Sequence, residues 1–216
     1  MARLARVVLP GVPHHVTQRG VRSMDIFYSD EDRKEYLSLL KVNGRKAGVE
    51  FLSYCLMSNH VHLIAIPKEE DSLRKGIAET HRLYTRFINF RERVRGHLFQ
   101  GRFFSCPLSQ EHLSVAARYV ERNPVRARIC SSAEEYLWSS ARFHLGIKKN
   151  DPLVLGSDWF GNTLDWAEYL REESVNIEIL RKHFRTGRPL GDKNFVEQAE
   201  QITGRQLVPR KPGRAK

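Results

Sequence analysis

The sequence predicts an α+β domain with helices on one face of an antiparallel sheet, followed by a helical C-terminal appendage. Three observations carry that expectation. The stretch "HHVTQRG" alternates with strand period, placing His15, Thr17 and Arg19 on one face and His14, Val16 and Gln18 on the other. Two short apolar runs, "VEFLSYCLM" and "HVHLIAIP", are separated only by Ser58 and Asn59, which is hairpin spacing. Longer segments with helical spacing lie between and after them, so the order is strand, helix, strand, strand, helix, strand, helix.

Each helix carries its own signals. "SDEDRKEYLSLLKVNGRKAG" has Ser29 or Asp30 to cap it and acids in its first turn, where the helix dipole favours them. Tyr36, Leu37, Leu39 and Leu40 supply its apolar stripe, and Gly48 ends it. A second helix runs from Asp71 to about Phe90, with Leu73, Ile77, Tyr84, Phe87 and Ile88 at helical spacing. "GHLFQGRFFSCPL", bounded by glycines, reads as a loop and a strand. "SQEHLSVAARYVERN" is a third helix with Ser109 as its N-cap.

The predicted α+β domain spans residues 1–130, the helical extension 131–200 with Trp138, Trp159 and Trp166 as anchors, and a basic tail 201–216. The tail has no acid and five basic residues, Arg210 and Lys211 among them, and reads as disordered and free to touch phosphates. Lys and Arg number 36 against 25 Asp and Glu, a formal charge of +11. That excess points to an anionic partner, nucleic acid first, against a merely solvated basic surface. Hydrophobic residues make up 41% of the chain, enough for a core and against wholesale disorder. Cys55, Cys106 and Cys130 fit neither a CxxC metal motif nor a closed set of disulfides. With no stretch that reads as a signal peptide or membrane span, the expected location is cytoplasmic.

Residues two apart on a strand share a face, so His60 and His62 in "SNHVHLIAIP" project side by side. They read either as a strand whose polar face carries histidine or as two ligands of a metal whose third ligand lies elsewhere. In "ARYVERNPVRAR", Tyr119 and Asn123 are four apart on one helix face, at the flank of the apolar arc of Leu113, Ala116, Ala117 and Val120. Tyr119 is a core-edge aromatic or a phenol reaching a cleft. Asn123 caps a short helix beginning at Pro124, or offers its amide oxygen to a hard cation. In "GHLFQGRFFS", Phe99, Gln100 and Arg102 suit stacking on unpaired bases and contact with phosphates, or belong to a core strand. Arg82 and Arg86 on the second helix add basic charge, and Gln18, Arg19 and Arg22 follow the first strand within reach of a nucleic acid.

"HVHL" on a strand and "YVERNP" on a later helix resemble the single-tyrosine HUH transposases, in which two histidines bind a metal and a tyrosine is the nucleophile. "GVPHHVTQRG", "LMSNHVHLIAIP", "YTRFINFRERVRGHLFQGRF", "YVERNPVRA" and "TGRPLGDKNFVEQAEQITGRQL" occur in the order seen in the REP-associated tyrosine transposases of bacteria, which the chain resembles over most of its length. The resemblance implies a ferredoxin-like fold, His60 and His62 as metal ligands and Tyr119 as nucleophile. Asn123 stands where many insertion-sequence relatives carry a glutamine ligand, keeping the carbonyl on a side chain one methylene shorter. The implied cofactor is Mg2+ or Mn2+. The implied partner is single-stranded or hairpin DNA with no membrane, acted on by a monomer or homodimer through a 5′-phosphotyrosine. Two other readings are a hairpin-binding regulator that does not cleave and a metal-dependent hydrolytic nuclease in which Tyr119 is structural.

Overall fold

The computed structural model describes residues 5–154, 156, 158–160, 165–172 and 177–208. The first half of the chain forms β1 (His14–Arg19), α1 (Asp30–Ala47), β2 (Val49–Leu56), β3 (His60–Pro67), α2 (Glu79–Arg91, entered through a π-helical turn at Arg74–Ala78) and β4 (Phe104–Pro107). The sheet order is β2-β3-β1-β4 with every neighbouring pair antiparallel, the ferredoxin-like arrangement.

Local chemistry sets the helix bounds. Ser29 and Asp32 close a capping box at the start of α1. The buried Asp32 carboxylate also binds Arg91 at the end of α2, tying the two helices together. Gly48 ends α1 at φ +65 with Lys68 packed against it, a backbone conformation that suits only glycine without strain. Ser109 stands at the start of α3 (Gln110–Glu121), but its Oγ pairs with His112 Nδ1 at 2.8 Å and makes no cap bond.

The sheet is covered on both faces. Val16, Val61, Leu63, Ala65 and Tyr54 pack against Tyr36, Leu40, Tyr84 and Ile88 of α1 and α2. The alternate residues Ile64, Ile66, Cys55 and Cys106 pack against Leu113, Ala116 and Val120 of α3. Strand periodicity thus assigns His15 and His62 to the α3 face. A β-bulge between Phe51 and Ser53 leaves Leu52 outside the register and turns Ser53 towards α3.

Beyond α3 come α4 (Asn123–Arg126), α5 (Ala141–His144), α6 (Trp166–Arg171), α7 (Ile177–Thr186) and α8 (Lys193–Thr203). These helices do not form a separate body. Glu121, wholly buried at the end of α3, accepts from Trp166 Nε1 (2.8 Å), Ser140 Oγ (2.5 Å) and Ser53 Oγ (3.2 Å) and pairs with His144 Nδ1 (2.5 Å). α7 lies on β4 and β1, with Leu180 and Phe184 buried in the second core layer. Where a disordered tail was expected from residue 201, α8 runs to Thr203, and Leu207 is buried with Val7 and Leu9. Apolar contacts that the basic composition hid hold this segment. Arg210 and Lys211 lie outside the described residues. Among the described residues no helix is long and apolar enough to cross a membrane.

Candidate active site

A cavity of about 510 Å³ opens on the α3 face where β1 ends and β3 begins. Antiparallel register sets Thr17 opposite His62 and Arg19 opposite His60. Helix α3 lies across this face and brings in Tyr119, α4 brings in Asn123 and Arg126, and α7 supplies Arg181, Phe184 and Arg185. His60, His62, Tyr119 and Asn123, far apart in sequence, line this one cavity.

The His60 and His62 rings lie 5.1 Å apart and nearly perpendicular. Asn59 Oδ1 accepts from His60 Nδ1 at 2.5 Å, while the other end of that amide donates to Ser23 O, which fixes its orientation. The bare nitrogen of His60 is therefore Nε2. Nδ1 of His62 lies 2.8 Å from Nε2 of His15, a histidine outside the ligand set expected from sequence. His15 is buried between His62 and Phe184, with ring centroids 5.0 and 3.6 Å away. Burial, with Arg19 nearby, lowers His60 to about 4. Burial followed by the charges of His15 and His60 holds His62 well below the ordinary histidine value. Both imidazoles are therefore neutral at pH 7, the state a metal ligand needs.

The Tyr119 ring stands edge-on to His62 at 5.8 Å and is 8% exposed. The Arg126 guanidinium lies over the Tyr119 ring, 3.9 Å from its centre, and donates to the Tyr119 carbonyl at 2.7 Å. Asn123 is the first residue of α4, not its cap, because the helix begins one residue before Pro124. Its buried side chain makes no hydrogen bond among the described residues and faces the cavity. Nε2 of His60, Nε2 of His62 in the tautomer that donates to His15, and one amide form a donor set that suits a divalent cation completed by substrate oxygens. Among the described residues no three His, Cys, Asp or Glu form a metal-holding cluster, so the third protein ligand would be the amide.

The expected nucleic-acid contacts divide. Gln18, Arg19 and Gln100 line the cavity, although the Gln18 amide already donates to Gly101 O at 3.0 Å. Arg22 and Arg102 are exposed and do not line it. Arg82 and Arg86 lie in a separate groove on α2. Phe99 is a correction. It is buried in the first core layer, 4.5 Å from the His81 ring, and no base can reach it. Sequence reading also passed over Arg126 and the α7 arginines. Arg126 is one turn beyond Arg122 in the same motif, whereas nothing local ties α7 to the cavity.

The family model described as "Transposase IS200 like" matches residues 13–123, a span that begins at β1 and ends at Asn123. No curated protein sequence matches the chain. The structure of a REP-associated tyrosine transposase bound to a REP hairpin superposes with a TM-score of 0.58 at 14% identity, over 81% of this chain and 99% of that one. A putative transposase from Deinococcus radiodurans R1 aligns with a TM-score of 0.39 at 15% identity, over 56% of this chain and 97% of that one. The family match covers the two strand histidines, the helix tyrosine and the amide that share the cavity, and the chain belongs to the IS200-like transposase family.

Proposed function

We propose that the protein cleaves and rejoins single-stranded DNA beside REP-like hairpins, with Tyr119 as nucleophile and His60, His62 and Asn123 holding Mg2+ or Mn2+. The observation that carries this reading is the single cavity shared by a tyrosine and two neutral imidazoles, walled by Arg19, Arg126, Arg181 and Arg185. The structural neighbour solved with a REP hairpin supports the choice of substrate.

Tyr119 Oη attacks the scissile phosphorus, and its proton leaves to solvent. The P–O3′ bond breaks, the leaving 3′ oxygen takes up a proton, and the 5′ phosphate stays on the tyrosine. Because one phosphodiester replaces another, the reverse attack by a 3′-hydroxyl rejoins the strand without an added energy source. The cation, when bound, polarises the scissile phosphate and offsets charge on its oxygens. Arg126 packs over the Tyr119 ring at the cavity wall, and it and the other arginines orient the phosphates on either side. His15 accepts the Nδ1 proton of His62 and so keeps Nε2 of His62 free for the cation.

The test is a labelled hairpin oligonucleotide with a single-stranded flank, incubated with the protein in Mn2+, in Mg2+ or in chelator. The reading requires a free 3′-hydroxyl fragment and a protein-bound 5′ fragment, both lost in chelator. Two free fragments would indicate hydrolysis by water. A gel shift without cleavage would indicate a binding protein.

A further inference from the structure

We propose that a second groove, at the C-terminal end of α2, is a binding site for single-stranded DNA, with Phe90 as a stacking platform and Arg86, Arg93 and Arg95 as phosphate contacts. The inference rests on the reading that this chain acts on single-stranded DNA. It adds a site separate from the cavity that holds Tyr119.

The groove has a volume of about 650 Å³ and no carboxylate lines it. Of its arginines, Arg82 is held by Glu79 through two bonds at 2.9 and 2.6 Å. Arg86, Arg93 and Arg95 have no carboxylate partner among the described residues, so their charge faces solvent uncompensated. The ring of Phe90 stands among them 88% exposed and without an aromatic neighbour among the described residues. Its last-turn neighbour Ile88 is wholly buried, so the core is complete without Phe90. A solvated basic face has no use for such a ring, whereas an aromatic face ringed by guanidinium groups matches the stacking and phosphate chemistry of an unpaired strand. A duplex keeps its bases stacked on one another and offers the ring no free base.

The loop after α2 is built to hold this arrangement. Arg93 takes φ +55 and Gly96 φ +122, and the Asn89 side chain donates to Gly96 O at 2.9 Å while Val94 N donates to Asn89 O at 3.0 Å. The same loop then joins the exit of β1. Val21 N donates to Leu98 O at 2.9 Å, and Gln100 N donates to Arg19 O at 2.8 Å. Arg19 and Gln100 line the Tyr119 cavity, and Gly96 lines the groove. The four Cα-to-Cα steps from Gly96 to Gln100 reach at most about 14 Å when extended. A strand leaving the cavity past Gln100 therefore has at most that distance to cover to reach Gly96.

The test is fluorescence anisotropy on the full chain, with a labelled oligo(dT) of about 25 nucleotides and a blunt duplex of similar length over a range of salt. Phe90→Ala should weaken oligo(dT) binding about 5- to 100-fold, from the loss of one stacked base. Phe90→Trp should restore binding and show quenching of the new indole on addition of DNA. Arg86→Ala with Arg95→Ala should lower the slope of log affinity against log salt by about 1.4, two phosphate contacts on a single strand. Wild-type affinity and salt slope in these variants would overturn the proposal, and so would a loss confined to the duplex. The Tyr119 adduct assay, run alongside, separates the outcomes. An adduct formed while the Phe90 variant binds as wild type removes only the groove, while a wild-type protein that neither binds oligo(dT) nor forms an adduct removes both readings.

Discussion

Nδ1 of His62 and Nε2 of His15 are 2.8 Å apart, so a single proton lies between them. If His62 donates it, Nε2 of His62 is bare and can bind a cation. If His15 donates it, the cavity side of His62 is an N–H and cannot. His15 Nδ1 is buried without a partner among the described residues, so none of them selects its tautomer, and a cation on His62 would. His15→Phe keeps a ring stacked on Phe184 but removes the acceptor. It should weaken Mn2+ binding about 10- to 100-fold, measured by EPR titration, and His15→Gln should recover part of the loss through its amide oxygen. Equal Mn2+ affinity in wild type and His15→Phe would contradict that role. At this scale the sequence was readable where periodicity sufficed: His60 and His62 do share a face with Ile64 and Ile66. It was not readable where burial decides. Phe99 and Phe90 both stand near arginines and glycines in sequence, yet Phe99 is in the core and Phe90 is in water.

Among the elements, α3 carries the site and fastens it. Tyr119 points to the cavity and Glu121, two residues on, points to the layer formed by α5 and α6. Glu121→Ala would leave the Trp166 N–H, two serine hydroxyls and His144 with one buried partner fewer each. It should lower unfolding stability by about 3 kcal/mol in urea titrations. An unchanged denaturation midpoint would show that this network does not hold α3. The helix ends were legible because Ser29 and Gly48 act locally. Asn123 was ambiguous because Pro124 after it suits a cap as well as a ligand, and the structure frees its amide by starting α4 one residue earlier. Glu121 was hidden because its partners lie 19 to 68 residues away in sequence.

Across the whole molecule, the strand and helix order pointed to an antiparallel α+β sheet and the family resemblance to its ferredoxin-like form, and βαββαβ leaves few ways to pair four strands. What it did not give was the second layer. The C-terminal helices cover the sheet's other face and place Phe184 3.6 Å from His15, a contact no local pattern encodes. This double-sided burial also predicts an acid limit to stability. Burial lowers His14 to about 4 and His81 to about 3. Each is neutral when folded but takes up a proton when unfolded below its ordinary value of 6.5. Their contribution is whole above pH 6.5 and is lost as pH falls from there towards 4, at about 1.4 kcal/mol per pH unit for each. His144 has the opposite sign. Burial lowers it, but the Glu121 carboxylate outweighs this and raises it, so its contribution is present below 6.5 and lost as pH rises through its raised value. The lowered imidazoles outnumber it, so the melting temperature should fall between pH 7 and pH 5. A flat or rising melting temperature over that range would contradict the account of the buried histidines.

The central claim is that Tyr119 is the nucleophile. Its most direct test is the protein–DNA adduct on a denaturing gel, formed with a labelled single-stranded hairpin substrate in Mn2+. Wild type should yield the adduct, with the label mapped to Tyr119 by mass spectrometry, and Tyr119→Phe should bind the same DNA and yield none. An adduct that persists in Tyr119→Phe, or cleavage by wild type without any adduct, would contradict the claim.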